Sequence, residues 1–269
     1  MTTASLQNKN VLITGANRGI GLAMAHAYAK AGARVLMMSR KMATLAQAAE
    51  AVRAAGGQTW HHELDLTDDA SVRTAVEAAH AAHGPIDVLV NNAGLYFQQP
   101  FLEQDPAQGR MEMEVNYFGA LRMVRAVLPR MLERKDGIIV NVSSVLGHVA
   151  YPTEANYSAT KAALSIFSHA LRGEVEPQGV RVVLFVPGHT STERALELKL
   201  THVPLQTPEE VADEAVHATL ETPAMHVSGS GNRTFVFLSG LFPGWARNYM
   251  RKVAEDSFAP SASPASGEG

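Results

Sequence analysis

Short apolar, β-branched runs alternate with helical segments along this chain, and that alternation limits its fold more than any single residue does. The runs are Asn10–Thr14, Arg34–Met38, Gln58–Leu64, Ile86–Val90, Ile138–Val142 and Val180–Val186, and a last strand is expected at Thr234–Leu238. Helical patterns fill the intervals: up to about Lys30, over Ala43–Ala55, from an N-cap at Thr67 to about His83, over Pro106–Arg134, around Tyr157, and over Glu193–Leu200 and Pro208–Leu220. Strands that are apolar throughout are buried on both faces, which implies a parallel sheet covered by helices. The pattern predicts an α/β fold: a doubly wound parallel sheet of about seven strands with helices on both faces. A single domain is expected over residues 1–256. Residues 257–269, ending in PSASPASGEG, are too poor in apolar side chains to order and read as a tail.

Ligands of such a sheet bind outside the carboxyl ends of its strands. The first strand runs into Gly15-Ala-Asn17-Arg18-Gly19-Ile20-Gly21 and then an alanine-rich helix. Glycines let a backbone approach a pyrophosphate, and a helix N-terminus offers free N–H groups and the positive end of a dipole. This is the phosphate-binding corner of a Rossmann-like fold. In forms that bind NAD, an acidic residue about 20 positions further on takes the ribose 2′-hydroxyl. Here the second strand ends in Ser39-Arg40-Lys41, without an acid, and Arg18 lies inside the glycine turn. Two guanidiniums and a hydroxyl suit a 2′-phosphate, so NADP is expected in preference to NAD. The alternative is that Arg18 and Arg40 are ordinary surface cations.

Tyr157 and Lys161 stand four residues apart in a helical run and therefore share one helix face. Bringing a phenol from ~10 to about 7 takes roughly 4 kcal/mol. One unit charge at ~4 Å, at an effective dielectric of ~20, supplies about that much. A lysine so placed turns a tyrosine into a usable proton donor and acceptor. The alternative is an unremarkable pair on an amphipathic helix.

These segments together resemble the short-chain dehydrogenase/reductase family in its compact single-domain form, over roughly Lys9 to Thr192. The resemblance rests on the glycine turn, Asp65-Leu66-Thr67, Asn91-Asn92-Ala93-Gly94, Val115-Asn116, Val142-Ser143-Ser144, Tyr157-Ser-Ala-Thr-Lys161 and Pro187-Gly188, in family order. It implies hydride transfer between the nicotinamide and a carbonyl or secondary alcohol. Tyr157 would be general acid and base, with its pKa lowered by Lys161. Ser144, thirteen residues before Tyr157, would orient the carbonyl, and Asn116 would hold a water in the proton relay. The resemblance also assigns Asp65 and Leu66 to the adenine, Asn91 with Ala93 and Gly94 to the adenosine ribose region, and Pro187, Gly188, Thr190 and Thr192 to the nicotinamide. A homodimer or homotetramer paired through the Asn116 and Tyr157 helices is implied as well. A dinucleotide-binding regulator that senses NADP without turnover is the alternative, although such a protein has no need of the catalytic residues.

The remaining features exclude more than they add. A net charge of −3 argues against a nucleic-acid partner, and the absence of cysteine rules out disulfides and thiolate metal sites. No secretory signal or run long enough to cross a membrane is visible, so a cytoplasmic protein is expected. His61, His62, His80 and His83 lie away from the expected site, and no metal is expected there. His148 and His189 lie on loops beside it. The run Phe242, Trp245, Tyr249, Val253 has helical spacing and is expected to pack on the domain or on another subunit; attachment to a membrane surface is the alternative.

Overall fold

The computed structural model describes residues 5–191 and 205–258. Seven parallel strands form one sheet in the order β3-β2-β1-β4-β5-β6-β7. They are β1 (Asn10–Thr14), β2 (Arg34–Ser39), β3 (Gln58–Glu63), β4 (Val88–Asn91), β5 (Gly137–Val142), β6 (Val180–Val186) and β7 (Met225–Val227). The helices are α1 (Gly19–Lys30), α2 (Met42–Ala54), α3 (Asp69–His83), α4 (Pro106–Met113), α5 (Gly119–Arg134), α6 (Ala155–Val175), α7 (Pro208–Glu221), α8 (Ser230–Leu241) and α9 (Pro243–Phe258).

Side chains alternate across each strand, so one strand feeds two cores. Val11 and Ile13 of β1 pack with α1, α2 and α7 through Met24, Leu45 and Val211. Leu12, between them, faces α3, α5 and α6 through Val76, Val127 and Leu171. Both faces are thereby covered, as a fully apolar parallel sheet requires. β1 has β2 on one side and β4 on the other, so the chain reverses direction across the sheet between β1 and β4, and the crevice opens at their carboxyl ends.

Two local expectations are corrected. Thr234–Leu238 is not a strand but the middle of α8; the last strand is the three-residue β7, paired to β6 through Leu184–Met225. An unbroken apolar run is compatible with either structure. Gly229, at φ +81°, turns the chain out of the sheet before that run begins. The N-cap of α3 is Asp68, whose carboxylate accepts from the Ala70 and Ser71 N–H groups, while Thr67 is held by Asp65. In α9 the inward face is Ala246, Met250, Val253 and Ala254, while the half-exposed Trp245 and Tyr249 meet Phe235 of α8 at ring-centroid distances of 5.7 and 5.5 Å. The helix expected at Glu193–Leu200, the position of Thr192 and the tail lie outside the described residues. No helix among the described residues is long and apolar enough to cross a membrane.

Candidate active site

A cleft of about 1300 Å³ runs along the carboxyl ends of the strands, from the end of β2 to the start of α6. At its centre Gly15 and Gly19 adopt φ of +68° and +55°, open to glycine at little cost. A Cβ on Gly21 would lie 2.3 Å from the Gly15 carbonyl oxygen and 2.5 Å from Asn92 Nδ2. No side chain caps α1, so its first N–H groups face the cleft. Asn92 braces this turn: its Nδ2 donates to the Thr14 carbonyl at 3.0 Å, and the Asn92 and Ala93 N–H groups donate to Thr14 Oγ1, each at 3.1 Å. Gly21→Ala is therefore expected to cost about 1–3 kcal/mol of stability and to weaken dinucleotide binding. Denaturant unfolding and fluorescence titration with NADPH check both; unchanged affinity would show that the turn tolerates the methyl group.

At the β2 end, Ser39 is buried and its Oγ has no hydrogen-bond partner. Arg18 and Arg40 are exposed on the cleft rim around it. Asp65 lies opposite; the Thr67 N–H and hydroxyl bonded to its Oδ1, with Arg40 nearby, hold its carboxyl below the usual range despite desolvation. Leu66, Asn17, Ile20, Ala93 and Gly94 also line the cleft. An unpartnered hydroxyl and two exposed guanidiniums, in one cleft with an uncapped helix N-terminus, fit a dinucleotide that carries a further phosphate.

Asn91 does not reach the cleft. It pairs with Asn141 in the β4–β5 register, and its Nδ2 donates to Asn141 Oδ1 at 2.9 Å, tying sheet to helix through Ser168. Asn92, one residue on, is the asparagine that lines the cleft. Only the alternation of the strand separates the two roles.

At the other end Ser144, Tyr157 and Lys161 come together. Ser144 caps a short 3₁₀ turn, accepting from the Leu146 N–H at 3.1 Å, and its hydroxyl lies beside the Tyr157 phenol. Ser143 is spent elsewhere: its Oγ donates to the Lys161 carbonyl and meets Ser165 Oγ at 2.8 Å. The structure thus separates the two serines. Lys161 Nζ donates to the Val142 carbonyl at 2.9 Å and lies 5.8 Å from the Tyr157 ring centroid. Burial alone pulls its ammonium down to about 8. Burial likewise pushes the Tyr157 phenol above its ordinary value, with Glu154 adding to the effect and Ser144 opposing it. The Lys161 ammonium, bonded to the Val142 carbonyl, is not among the causes of this shift.

Asn116 is buried in a π-helical turn, Glu114–Phe118, between α4 and α5. Its carboxamide clasps the Leu95 backbone, with Oδ1 accepting at 2.7 Å and Nδ2 donating at 2.8 Å, and Nδ2 also donates to Thr160 Oγ1 at 3.0 Å. A π-turn adds a residue to the helix and is a frequent mark of functional sites. Thr190 donates from Oγ1 to the Gly188 carbonyl, and Pro187 accepts from the Val145 N–H, which closes the floor of the cleft. His189 lines the cleft and burial lowers its pKa, whereas His148 is exposed and outside it. His83 packs on Trp60 and His62, and no group of three or more metal-ligating side chains occurs among the described residues.

The family model described as short chain dehydrogenase matches residues 9–202. A ketoacyl reductase, HetN, of Nostoc sp. is 36% identical over 81% of this chain and 77% of its own. A fatty acyl-CoA reductase of Acinetobacter baylyi is 34% identical over 98% and 90%. Among solved structures, a gluconate 5-dehydrogenase of Burkholderia cenocepacia in complex with NADP and tartrate superposes with a TM-score of 0.78 at 30% identity, covering 86% of this chain and 97% of that one.

Proposed function

The chain belongs to the short-chain dehydrogenase/reductase family, and from that premise we propose that it is an NADP(H)-dependent oxidoreductase that interconverts a carbonyl and a secondary alcohol. The observation that carries the reading is the gathering of Ser144, Tyr157 and Lys161 in one cleft at the carboxyl end of the sheet, with Tyr157 set against an apolar wall. The bound dinucleotide supplies or accepts the hydride. Tyr157 donates a proton to the carbonyl oxygen in reduction and withdraws it in oxidation. Ser144 holds that oxygen by a second hydrogen bond, so charge developing there meets two donors in a dry site. Asn116 fixes the Leu95 loop over the same site and has the relay role. Thr192 is assigned to the nicotinamide side on the motif alone.

The NADP preference is supported by the unpartnered Ser39 hydroxyl, by Arg18 and Arg40 in the same cleft, and by the NADP complex of the gluconate 5-dehydrogenase relative. The test is a panel of ketones, aldehydes and alcohols with NADPH or NADP. Tight NADPH binding without turnover on any of them would favour the sensor reading instead.

We further propose a homodimer or homotetramer. Met111, Phe118 and Ile166 are 42%, 44% and 71% exposed on α4, the π-turn and α6, beside Ala162, Ala163, Phe167 and Ala170. Such a contiguous apolar face marks an interface. Light scattering at micromolar concentration is expected to give a multiple of the 28.8 kDa chain mass. A single monomeric mass with full activity would refute it.

A further inference from the structure

A carboxyl that the proton chemistry does not use stands one helical turn before Tyr157. Glu154 is the N-cap residue of α6, but its side chain caps nothing. It is 4% exposed and lines the cleft. Behind it lies Glu112 of α4, fully buried, whose Oε1 accepts from the Phe97 N–H at 2.7 Å and whose Oε2 accepts from Gln104 Nε2 at 3.4 Å. The titratable groups gathered here are Glu112 from α4, Tyr96 from the loop after β4, and Tyr157 from α6, while the Lys161 ammonium is turned to the Val142 carbonyl. Among the described residues, Arg18, Arg40 and Lys41 line the opposite end of the cleft. The wall around Tyr157 is made of Leu146, Tyr151, Phe235, Met250 and Val253.

We propose that Glu154 makes this pocket selective for uncharged carbonyl compounds with apolar flanks and rejects substrates that carry a carboxylate next to the reacting carbonyl. The inference rests on the carbonyl–alcohol reading above. A carbonyl presented to Tyr157 brings its neighbouring substituent within range of Glu154. A carboxylate there would be a second negative charge in a desolvated wall that already holds Glu112. Discrimination by repulsion of the wrong partner is a common route to specificity. An ester of the same skeleton meets no such charge, and the apolar wall accepts it. Burial and the Glu112 charge push the Glu154 carboxyl up to about 7. Below that pH it is protonated and tolerates an anion; above it, the anion is repelled. Rejection therefore grows as pH rises.

The experiment compares kcat/KM with NADPH for methyl benzoylformate and for benzoylformate, near pH 6 and near pH 8, in wild type and Glu154→Gln. Effects on Tyr157 are common to both substrates and cancel in the ratio. Wild type is expected to prefer the ester by about 100-fold or more near pH 8. The protonated fraction of a group titrating near 7 changes about tenfold over that interval, so the preference should shrink about tenfold near pH 6. In Glu154→Gln it should be small and independent of pH. Should that variant not fold, the wild-type pH dependence decides alone. Equal use of acid and ester near pH 8, or a preference unchanged by pH, overturns the proposal. Turnover of other ketones but not of the ester overturns it too, whereas inactivity on every carbonyl tested removes the carbonyl–alcohol reading itself.

Discussion

Tyr157→Phe is expected to lower turnover about 10²- to 10⁴-fold while leaving the fold and the affinity for NADPH nearly unchanged. The substitution removes one hydroxyl and keeps the ring, whose edge contact with Tyr96 at 5.7 Å and place in the apolar wall do not depend on that oxygen. What is lost is the proton donor that stands beside Ser144 in the cleft. Lys161→Ala should damage binding as well, because its ammonium lies at the junction of both halves of the cleft, 3.7 Å from where a Gly94 Cβ would stand. The pH dependence follows from the direction of the phenol shift. Burial favours the neutral phenol, so the proton donor for reduction is present throughout the neutral range. Oxidation requires the phenolate and should gain as pH rises. Turnover in both directions, an NADPH fluorescence titration and a thermal melt test the assignment together. Comparable turnover in Tyr157→Phe and wild type would remove Tyr157 from the chemistry.

The sheet was legible in the sequence because strands buried on both faces carry apolar runs, as β1, β2, β4, β5 and β6 do, and the six expected segments coincide with β1 to β6 within a residue or two, the polar edge strand β3 included. The seventh failed for a physical reason. β7 has only three residues, Met225–Val227, and the longer apolar run that follows belongs to a helix whose inner side covers the cleft. Asn116 was legible as a residue but not as a π-turn, because nothing in the spacing of Glu114–Phe118 distinguishes a widened turn from an ordinary one. Glu112 and Glu154 were missed altogether. Nothing in their spacing sets them apart from other helix carboxylates, and only the fold reveals that both are buried, with Glu154 one turn before the phenol. The lysine–tyrosine spacing placed the two side chains on one face, as a helix must. It could not foresee that the ammonium would turn to the Val142 carbonyl.

Replacing Ser39 with Asp should move cofactor preference from NADP toward NAD by about 10³ in the ratio of kcat/KM values, as the sum of two effects. A carboxylate at the buried end of β2 would repel a 2′-phosphate carrying about two negative charges. It would also accept a hydrogen bond from the 2′-hydroxyl of the NAD ribose, the usual role of an acid at this corner. Arg40→Ala is the milder control. A charge-assisted bond is worth ~1.5–3 kcal/mol, but Arg40 is exposed, so screening should hold the loss near the lower end, about tenfold for NADP. NAD offers that guanidinium only a hydroxyl and should bind much as before. Arg18, on the other rim, would retain part of the grip on the phosphate, which is why the arginine variant alone should not reverse the preference. The measurement is kcat/KM with both cofactors in wild type, Arg40→Ala and Ser39→Asp. A wild type that prefers NAD, or an Arg40→Ala that loses both cofactors equally, would make the two arginines ordinary surface cations and leave the Ser39 hydroxyl without the ligand its burial points to.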